Sequence, residues 1–237
     1  MKCVYCKKLQ IRNLKISEIF RWSKVGSGMC EECRSFFHSL PVDQGCEGCQ
    51  KVDPLQQIVK NNDTTIWYCK DCLQWKKQYP EYPFCHRAFF KYDEPFQQWL
   101  KQYKFIGDIR LAKSFVGEWQ QLKKMYPDFI YCPIPLSAER ISERGFNQVS
   151  EMLIAADLPF QELLVRKKHL PAQSKKTREQ RLSMPQPFEF TNQSIDVTNQ
   201  KILLIDDVYT TGQTIFHGAS CLIRNAPQEI QSFSLAR

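Results

Sequence analysis

The sequence predicts a two-part chain: an α/β domain built on a mostly parallel sheet, preceded by a small cysteine-rich region. Two patterns support this fold class. Residues 1–83 hold four CxxC pairs and few apolar runs, whereas residues 84–237 alternate short apolar runs with amphipathic helical patterns. The length of 237 residues, with 43% hydrophobic residues, is sufficient for one large domain or two small ones. We place the boundary near residue 83, after a stretch that contains prolines.

Eight of the eleven cysteines form the four CxxC pairs. Two residues between thiolates allow both sulfurs to approach one tetrahedral ion at about 2.3 Å. The spacing therefore predicts two structural zinc sites with four thiolates each and no open coordination position. Sequential pairing of the CxxC units is favoured over an interleaved arrangement. The predicted ligands are Cys3, Cys6, Cys30 and Cys33 in the first site and Cys46, Cys49, Cys69 and Cys72 in the second.

Other interpretations of the cysteine-rich region stay open. A disulfide-rich secreted domain would also use many cysteines, but CxxC pairs favour metal and a reducing compartment. Cys85 and His86 form a possible stray ligand pair. Aromatic residues interleaved with lysines either stack on unpaired bases or form the small core of the region. These residues are Trp22, Trp67, Tyr68 and Trp75.

Amphipathic patterns predict two helices at the start of the second part. A helix is expected to begin near Pro95, because Phe96, Trp99, Leu100 and Tyr103 fall on one helical face. A longer helix is expected to follow, with Asp108 as its N-cap. Its apolar stripe consists of Ala112, Phe115, Val116, Trp119 and Leu122.

Strand and helix patterns then alternate along the chain. We expect strands at residues 129–132, 163–165 and 201–207. The last of these is a continuous apolar run, typical of a strand buried on both faces. Helices are expected within residues 145–156 and 214–224. This alternation predicts a mostly parallel sheet.

The most informative segment is the one that follows the third predicted strand. The strand ends in Asp206 and Asp207, passes through a short threonine- and glycine-containing loop, and enters a helix. Loop N–H groups and a helix N-terminus converge on one point in such a unit, which suits a phosphate. Adjacent carboxylates would repel a phosphate, so they are expected to bind hydroxyl groups or a cation. A ribose phosphate offers both kinds of partner.

This segment resembles the signature of the type I phosphoribosyltransferases, which bind phosphoribosyl pyrophosphate (PRPP). The resemblance implies that Asp206 and Asp207 contact the ribose 2′- and 3′-hydroxyls, that the loop cradles the 5′-phosphate, and that Mg²⁺ bridges the pyrophosphate. Arg140 and Arg144, which follow a Pro-Ile-Pro turn, are further candidates for the pyrophosphate. The remaining loop residues of the predicted PRPP site are Val208, Tyr209, Thr210, Thr211, Gly212, Gln213 and Thr214.

The whole chain is similar to the ComF family. The likeness combines the CxxC region and the PRPP loop with residues 103–108, 133–136 and 144–148. It implies a double zinc ribbon before a type I phosphoribosyltransferase-like domain. It also implies a role in natural transformation, where incoming single-stranded DNA is handled beside a ComFA-like helicase.

A basic stretch between residues 164 and 181 is a candidate DNA surface. Its cations can neutralise phosphates, and the alternative is a solvated loop. Leu170 and Lys176 depart from the family pattern at this stretch. The candidate DNA-binding residues are Arg166, Lys168, Lys175, Lys176, Arg178 and Arg181.

Two functions remain compatible with the sequence. In the first, PRPP binding regulates a DNA-handling protein without turnover; in the second, the chain is an active phosphoribosyltransferase. Enzymes of this type act mainly by positioning and electrostatics, so no catalytic nucleophile can be named. The net charge of +8 favours an anionic partner only weakly. The absence of a long apolar run and of a signal-peptide pattern predicts a cytoplasmic protein without membrane insertion.

Overall fold

The structure is a computed structural model of the 237-residue chain. It describes residues 2–9, 28–40, 45–52, 57–61, 64–167, 186–191 and 195–237, with backbone alone at 57–61 and 64–66.

Eight strands lie in the described ranges. They are β1 (Gln57–Asn61), β2 (Thr64–Tyr68), β3 (His86–Phe90), β4 (Phe129–Pro133), β5 (Leu164–Arg166), β6 (Phe188–Phe190), β7 (Lys201–Val208) and β8 (Glu229–Ala236). The order in the central sheet is β3-β8-β7-β4, and every neighbouring pair in it is parallel. The predicted α/β class with a parallel sheet is thus confirmed.

Seven α-helices surround this sheet in the part of the chain that the structure describes. They are α1 (Glu31–Arg34), α2 (Lys70–Gln78), α3 (Glu94–Lys101), α4 (Val116–Met125), α5 (Ala138–Arg144), α6 (Gln148–Ala155) and α7 (Gln213–Leu222). A π-helical turn at Gln102–Ile106 extends α3, and a 3-10 helix spans Ile109–Lys113.

Two hydrophobic cores cover the two faces of the sheet, because successive residues of a strand point to opposite sides. In β7, Leu203 and Ile205 join one core, whereas Ile202 and Leu204 join the other. The first core contains α3, α4 and α6 together with residues of the first cysteine set. The second core contains α7 and the second cysteine set. The cysteine-rich region therefore packs on both sides of the sheet, and the boundary near residue 83 stays a prediction.

The predicted helix near Pro95 is confirmed. Helix α3 begins after Asp93, whose side chain accepts a hydrogen bond from the backbone N–H of Phe96 at 3.3 Å. The apolar face of this helix is buried in the first core.

The prediction that Asp108 caps one long helix is wrong. The stripe from Ala112 to Leu122 is buried as expected, but it is divided between the 3-10 helix and α4. Asp108 makes no cap hydrogen bond; its carboxylate pairs instead with Lys7 and Arg110, at 2.8 and 2.7 Å. These cations lower the pKa of Asp108 to about 2, the hydrogen bond from Arg110 having the larger effect.

Strand predictions hold for β4, β5 and β7, but β5 lies outside the central sheet. It pairs antiparallel with β6 in a separate two-stranded ribbon. Strands β3 and β8 were not predicted. His86 at the start of β3 is fully buried, and its two ring nitrogens lie 3.0 and 3.1 Å from the hydroxyls of Ser232 and Ser234. These contacts indicate that His86 is a core residue.

Among the helices that the structure describes, none is both long and apolar enough to span a lipid bilayer.

Candidate functional site

The candidate phosphate site lies at the carboxyl edge of the sheet, where β7 ends. Strand β7 is fixed on both sides, by β8 and by β4. The N–H of Ile134, just beyond β4, donates to the carbonyl of Ile205 at 2.9 Å and so extends the pairing to this edge. The segment after β4 and the loop after β7 therefore lie next to each other.

Backbone N–H groups line the loop between β7 and α7. Across the described ranges, no protein group accepts a hydrogen bond from the backbone N–H of residues 210–215. The side chains of Thr210, Thr211 and Thr214 are exposed beside these donors. Helix α7 begins here and adds the positive end of its dipole. These features together form an open cup suited to a phosphate.

Tyr209 closes the underside of this cup. Its ring is buried and stacks on His86, with 4.0 Å between ring centroids. Gly212 above it has a φ of +74°, and a Cβ at that position would lie 2.1 Å from the Tyr209 hydroxyl. Only glycine therefore fits at this position. Burial raises the pKa of the Tyr209 hydroxyl above its ordinary value.

Asp207 is held by a network of polar side chains. It is 3% exposed, and its Oδ2 atom accepts from Lys104 Nζ at 2.7 Å and from the amide of Gln148. Arg144 supports both partners: it donates to the side-chain oxygen of Gln148 and, at 3.1 Å, to the backbone carbonyl of Lys104. A sugar hydroxyl that reaches Asp207 therefore competes with the ammonium of Lys104.

Asp206 has a different environment. Burial and the neighbouring carboxylate of Asp207 raise the pKa of Asp206 to about 7, while Lys104 and Arg140 act in the opposite direction. Its Oδ1 atom accepts from the backbone N–H of Asp207 at 2.8 Å. A carboxyl group that titrates near neutral pH is thus placed beside the phosphate cup.

Three arginines predicted at functional positions lie near this site. Arg140 is exposed on the first turn of α5, close enough for its charge to lower the pKa of Arg144 and Arg166. Burial is the larger cause of the lowered pKa in both of those groups. Arg144 already donates hydrogen bonds to Gln148 and to the carbonyl of Lys104, whereas Arg140 is exposed. Arg140 is therefore the better placed of the two to bind a pyrophosphate.

The other predicted residues lie in several environments. Val208 and Gln213 are half-buried, and Gln213 contacts His217 at 3.4 Å. Arg166 ends β5, with its guanidinium 5.8 Å from the ring centroid of Phe188. The rest of the predicted DNA surface and Trp22 lie outside the described residues. These residues are Lys168, Lys175, Lys176, Arg178, Arg181 and Trp22.

Of the aromatic residues proposed to stack on bases, Trp75 is part of the second core. It is 6% exposed and stacks on Phe216, with 5.0 Å between ring centroids. Trp67 and Tyr68 are half-buried against the same core. This placement favours a structural role for Trp75.

The eight paired cysteines form two clusters. Each cluster places four sulfur atoms within 4.8 Å of one another. The grouping is sequential, as favoured above: Cys3, Cys6, Cys30 and Cys33 in the first cluster, and Cys46, Cys49, Cys69 and Cys72 in the second.

The geometry of both clusters fits a tetrahedral zinc ion. With Zn–S bonds of about 2.3 Å, the sulfur–sulfur edge of a tetrahedron is about 3.8 Å. The sulfurs of Cys6 and Cys30 lie 3.8 Å apart, and those of Cys49 and Cys69 lie 3.6 Å apart. Backbone N–H groups donate to Cys3 Sγ and Cys46 Sγ, and such hydrogen bonds orient thiolates that bind a metal.

The two clusters repeat one local structure. The residue after the first CxxC pair of each cluster, Lys7 or Gln50, has a positive φ. The second CxxC pair of each cluster opens a helix, α1 after Cys30 and α2 after Cys69. The cysteine-rich region is thus a double zinc-ribbon-like unit.

Comparison with known proteins places the chain in a family. It is 32% identical over 237 residues to the competence protein ComFC of Streptococcus pneumoniae, covering all of both chains. The chain belongs to the ComFC family of competence proteins. The ComFC of Bacillus subtilis is 35% identical over 215 residues, covering 88% of this chain and 84% of that protein. Competence protein F of Haemophilus influenzae is 26% identical over 223 residues. No protein-family model matches the chain.

Solved structures similar to this ComFC-family chain include two phosphoribosyltransferases. The adenine phosphoribosyltransferase of Saccharomyces cerevisiae has a TM-score of 0.34 and 14% identity, over 54% of this chain and 69% of that one. A hypoxanthine phosphoribosyltransferase of Staphylococcus aureus has a TM-score of 0.32 and 12% identity, over 56% of this chain and 63% of that one. Neither score by itself assigns the fold, and the phosphoribosyltransferase-like class rests on the sheet and loop described above.

Sequence reasoning missed two residues of the site, Lys104 and Gln148. Both stand in segments that resemble the ComF family, but no local spacing connects them with Asp207. Lys104 lies in the π-helical turn that follows α3, and from there its ammonium contacts Asp207. Turns of this kind are frequent at functional sites, but the sequence carries no signal for them.

The pKa of Asp206 generates a prediction about stability. The contribution of Asp206 to the free energy of unfolding should fall as the pH rises from about 4 to about 7, because the unfolded state loses this proton first and the folded state retains it until about pH 7. Asp206→Asn removes the group. The Tm of the variant minus the Tm of the wild type should therefore be larger at pH 8 than at pH 5, by roughly 5–10 °C. Parallel Tm curves for the two proteins across this range would show that the Asp206 pKa is not raised.

Proposed function

We propose that this ComFC-family chain is a cytoplasmic protein that binds PRPP or a related ribose phosphate with Mg²⁺ and handles single-stranded DNA during natural transformation. Two zinc ions would hold its cysteine clusters. One observation carries the ligand proposal: among the described residues, none accepts a hydrogen bond from the backbone N–H groups of residues 210–215, which lie beside two adjacent carboxylates at the edge of a parallel sheet.

The chemistry of the site matches the parts of PRPP one by one. The N–H groups and threonine hydroxyls of the loop suit the 5′-phosphate. Asp206, which is partly exposed, suits a ribose hydroxyl. Arg140 suits the pyrophosphate, and Mg²⁺ would neutralise part of the pyrophosphate charge. The carboxylate of Asp207 would then accept hydrogen bonds both from Lys104 and from a hydroxyl group of the ligand.

The biological role is proposed from the named relatives, two of which are called competence protein ComFC. Natural transformation brings single-stranded DNA into the cell, and a ComFA-like helicase is the proposed partner. The basic stretch around Arg166 supplies positive charge for the DNA backbone. We prefer PRPP binding without turnover.

Transfer of the phosphoribosyl group to an acceptor is the second candidate, and it is favoured by one observation. A carboxyl group with a pKa of about 7, such as Asp206, can accept and return a proton at neutral pH. Such a group would assist an acceptor that loses a proton as it attacks the sugar.

The ligand proposal predicts a stabilising effect of PRPP. With Mg²⁺ and PRPP at about a hundredfold excess over Kd, the Tm of the wild type should rise by roughly 5–10 °C. The doubly substituted protein Asp206→Ala/Asp207→Ala should show no rise, because it lacks both sugar-binding carboxylates. Thermal unfolding monitored by circular dichroism measures both shifts.

Asp128→Ala is a matched control, since Asp128 is an exposed acid just before β4, at the opposite edge of the sheet. It should behave as the wild type. Because Asp207 is buried, the Asp206→Asn and Asp207→Asn variants repeat the test with smaller perturbation. Equal Tm rises in the wild type and the double variant would refute the site. Pyrophosphate release with candidate bases, abolished by the same substitutions, would decide for the enzyme.

The cluster geometry predicts two zinc ions per chain. Metal analysis of protein purified under reducing conditions should find them. Cys49→Ser should lose one equivalent, since it removes one thiolate from the second cluster. Cys85→Ser, a half-buried thiol outside both clusters, should retain both. Full zinc content in Cys49→Ser would contradict the assignment.

The DNA proposal predicts a salt-dependent affinity for single strands. Lys175→Ala/Lys176→Ala should weaken binding and reduce the slope of log K against log salt by about 1.4, the value for two lost phosphate contacts. Fluorescence anisotropy between 50 and 200 mM salt gives this slope. Lys123→Ala/Lys124→Ala, an exposed pair on α4, is the matched control. Equal slopes in the two double variants would remove residues 175 and 176 from the interface.

A further inference from the structure

Arg237 connects the second cysteine cluster with the phosphate loop. Its Nη1 atom donates a hydrogen bond to the backbone carbonyl of Cys49, one of the four cluster residues. The same guanidinium lies 4.8 Å from the ring centroid of Tyr209, within range of a cation–π interaction. One side chain thus contacts a cluster residue and the residue that closes the underside of the phosphate cup.

A cleft of about 180 Å³ lies between the cluster and the loop. The cluster contributes Cys49 and Cys69 to its wall, and the loop contributes Tyr209, Thr210 and Thr211. Arg237 also lines this cleft. The loop and the cluster are therefore immediate neighbours, with Arg237 between them.

The position of the Tyr209 ring determines whether the loop can keep its shape. Gly212 lies so close above the Tyr209 hydroxyl that there is no room for a Cβ. A ring displaced toward Gly212 would push the loop outward, and a ring displaced away would leave the loop without support. Arg237 and His86 both contact this ring.

We propose that the second cysteine cluster, acting through Arg237 and Tyr209, sets the conformation of the phosphate loop. Metal occupancy of that cluster and phosphate binding are then coupled. Arg237 and Tyr209 are positioning residues, since they act through the loop. The inference rests on the proposed function, in which zinc fills the cluster and PRPP binds the loop. Coupling is reciprocal, so the phosphate ligand must also stabilise the metal in the second cluster.

The first cluster provides an internal comparison. It too has an arginine beside aromatic rings: Arg34 lies 4.6 Å from the ring centroid of Phe90 and pairs with Glu118. These residues belong to the opposite face of the sheet, whose core contains Cys3 and Cys33. Within the described ranges, Arg34 contacts Glu118, Phe90 and Phe115, and it makes no contact with residues 209–214. The coupling is therefore specific to the second cluster.

The test compares Arg237→Gln with Arg34→Gln, a matched pair of half-exposed arginines. A chromophoric zinc chelator follows metal release with and without PRPP and Mg²⁺. In the wild type and in Arg34→Gln, PRPP should slow the release of one of the two zinc equivalents. In Arg237→Gln, this slowing should be lost, and the Kd for PRPP should rise roughly three- to tenfold. Tyr209→Phe keeps the ring and should retain the coupling.

A second measurement does not depend on the ligand. Amide hydrogen exchange in residues 216–219, the first hydrogen-bonded turn of α7, should be faster in Arg237→Gln than in Arg34→Gln. If the wild type does not bind PRPP, the proposed function fails, and this exchange still tests the positioning role. Equal exchange and equal zinc release in the two variants would overturn the inference.

Discussion

Strand β7 is the constraint on which the rest of this structure depends. It is buried on both faces, and it is paired on both edges. Its end therefore has almost no freedom to move. Every group of the candidate site is placed relative to that end: Asp206 and Asp207 on the strand, the cup of N–H groups after it, and Arg140 beyond the neighbouring strand β4.

The electrostatics of the site follow from the placement of two adjacent acids in a poorly hydrated position. Two ionised carboxylates so close together would repel each other strongly. Asp207 is paired with the cation of Lys104, whereas Asp206 holds its proton to about pH 7. The site therefore carries less negative charge than its sequence suggests. A reduced negative charge is what an anionic ligand requires of carboxylates that bind its sugar.

Local patterns in the sequence were sufficient for a large part of this description. The apolar run of residues 201–207 predicted β7, and the helical stripe that begins at Phe96 predicted α3. The CxxC spacing predicted which cysteines belong to each cluster. In each case the signal lies within a few residues of the feature. Asp108 shows the limit of such reasoning. Its cap position was plausible locally, but Lys7, distant in sequence, pairs with its carboxylate.

Features that depend on distant contacts were not predictable. Strands β3 and β8 carry polar residues at buried positions, because His86 and the serines of β8 satisfy one another across the strand pair. Neither segment alone has the continuous apolar run that predicts a strand buried on both faces. Lys104 and Gln148 likewise acquire their roles only when the π-helical turn and α6 meet the end of β7. The packing of the cysteine clusters on opposite faces of the sheet also has no local signal.

That packing has a consequence for how the chain reaches its native state. The first strand of the sheet, β3, pairs with β8, which follows all the other strands in the sequence. Likewise, the backbone carbonyl of Cys49 accepts its hydrogen bond from Arg237 only after the last strand has been made. The cysteine clusters can therefore form early in synthesis, but they cannot pack against the completed sheet at that stage. The nascent polypeptide therefore exposes apolar surface of its early segments until β8 is made, and pairing between segments so far apart in sequence slows folding.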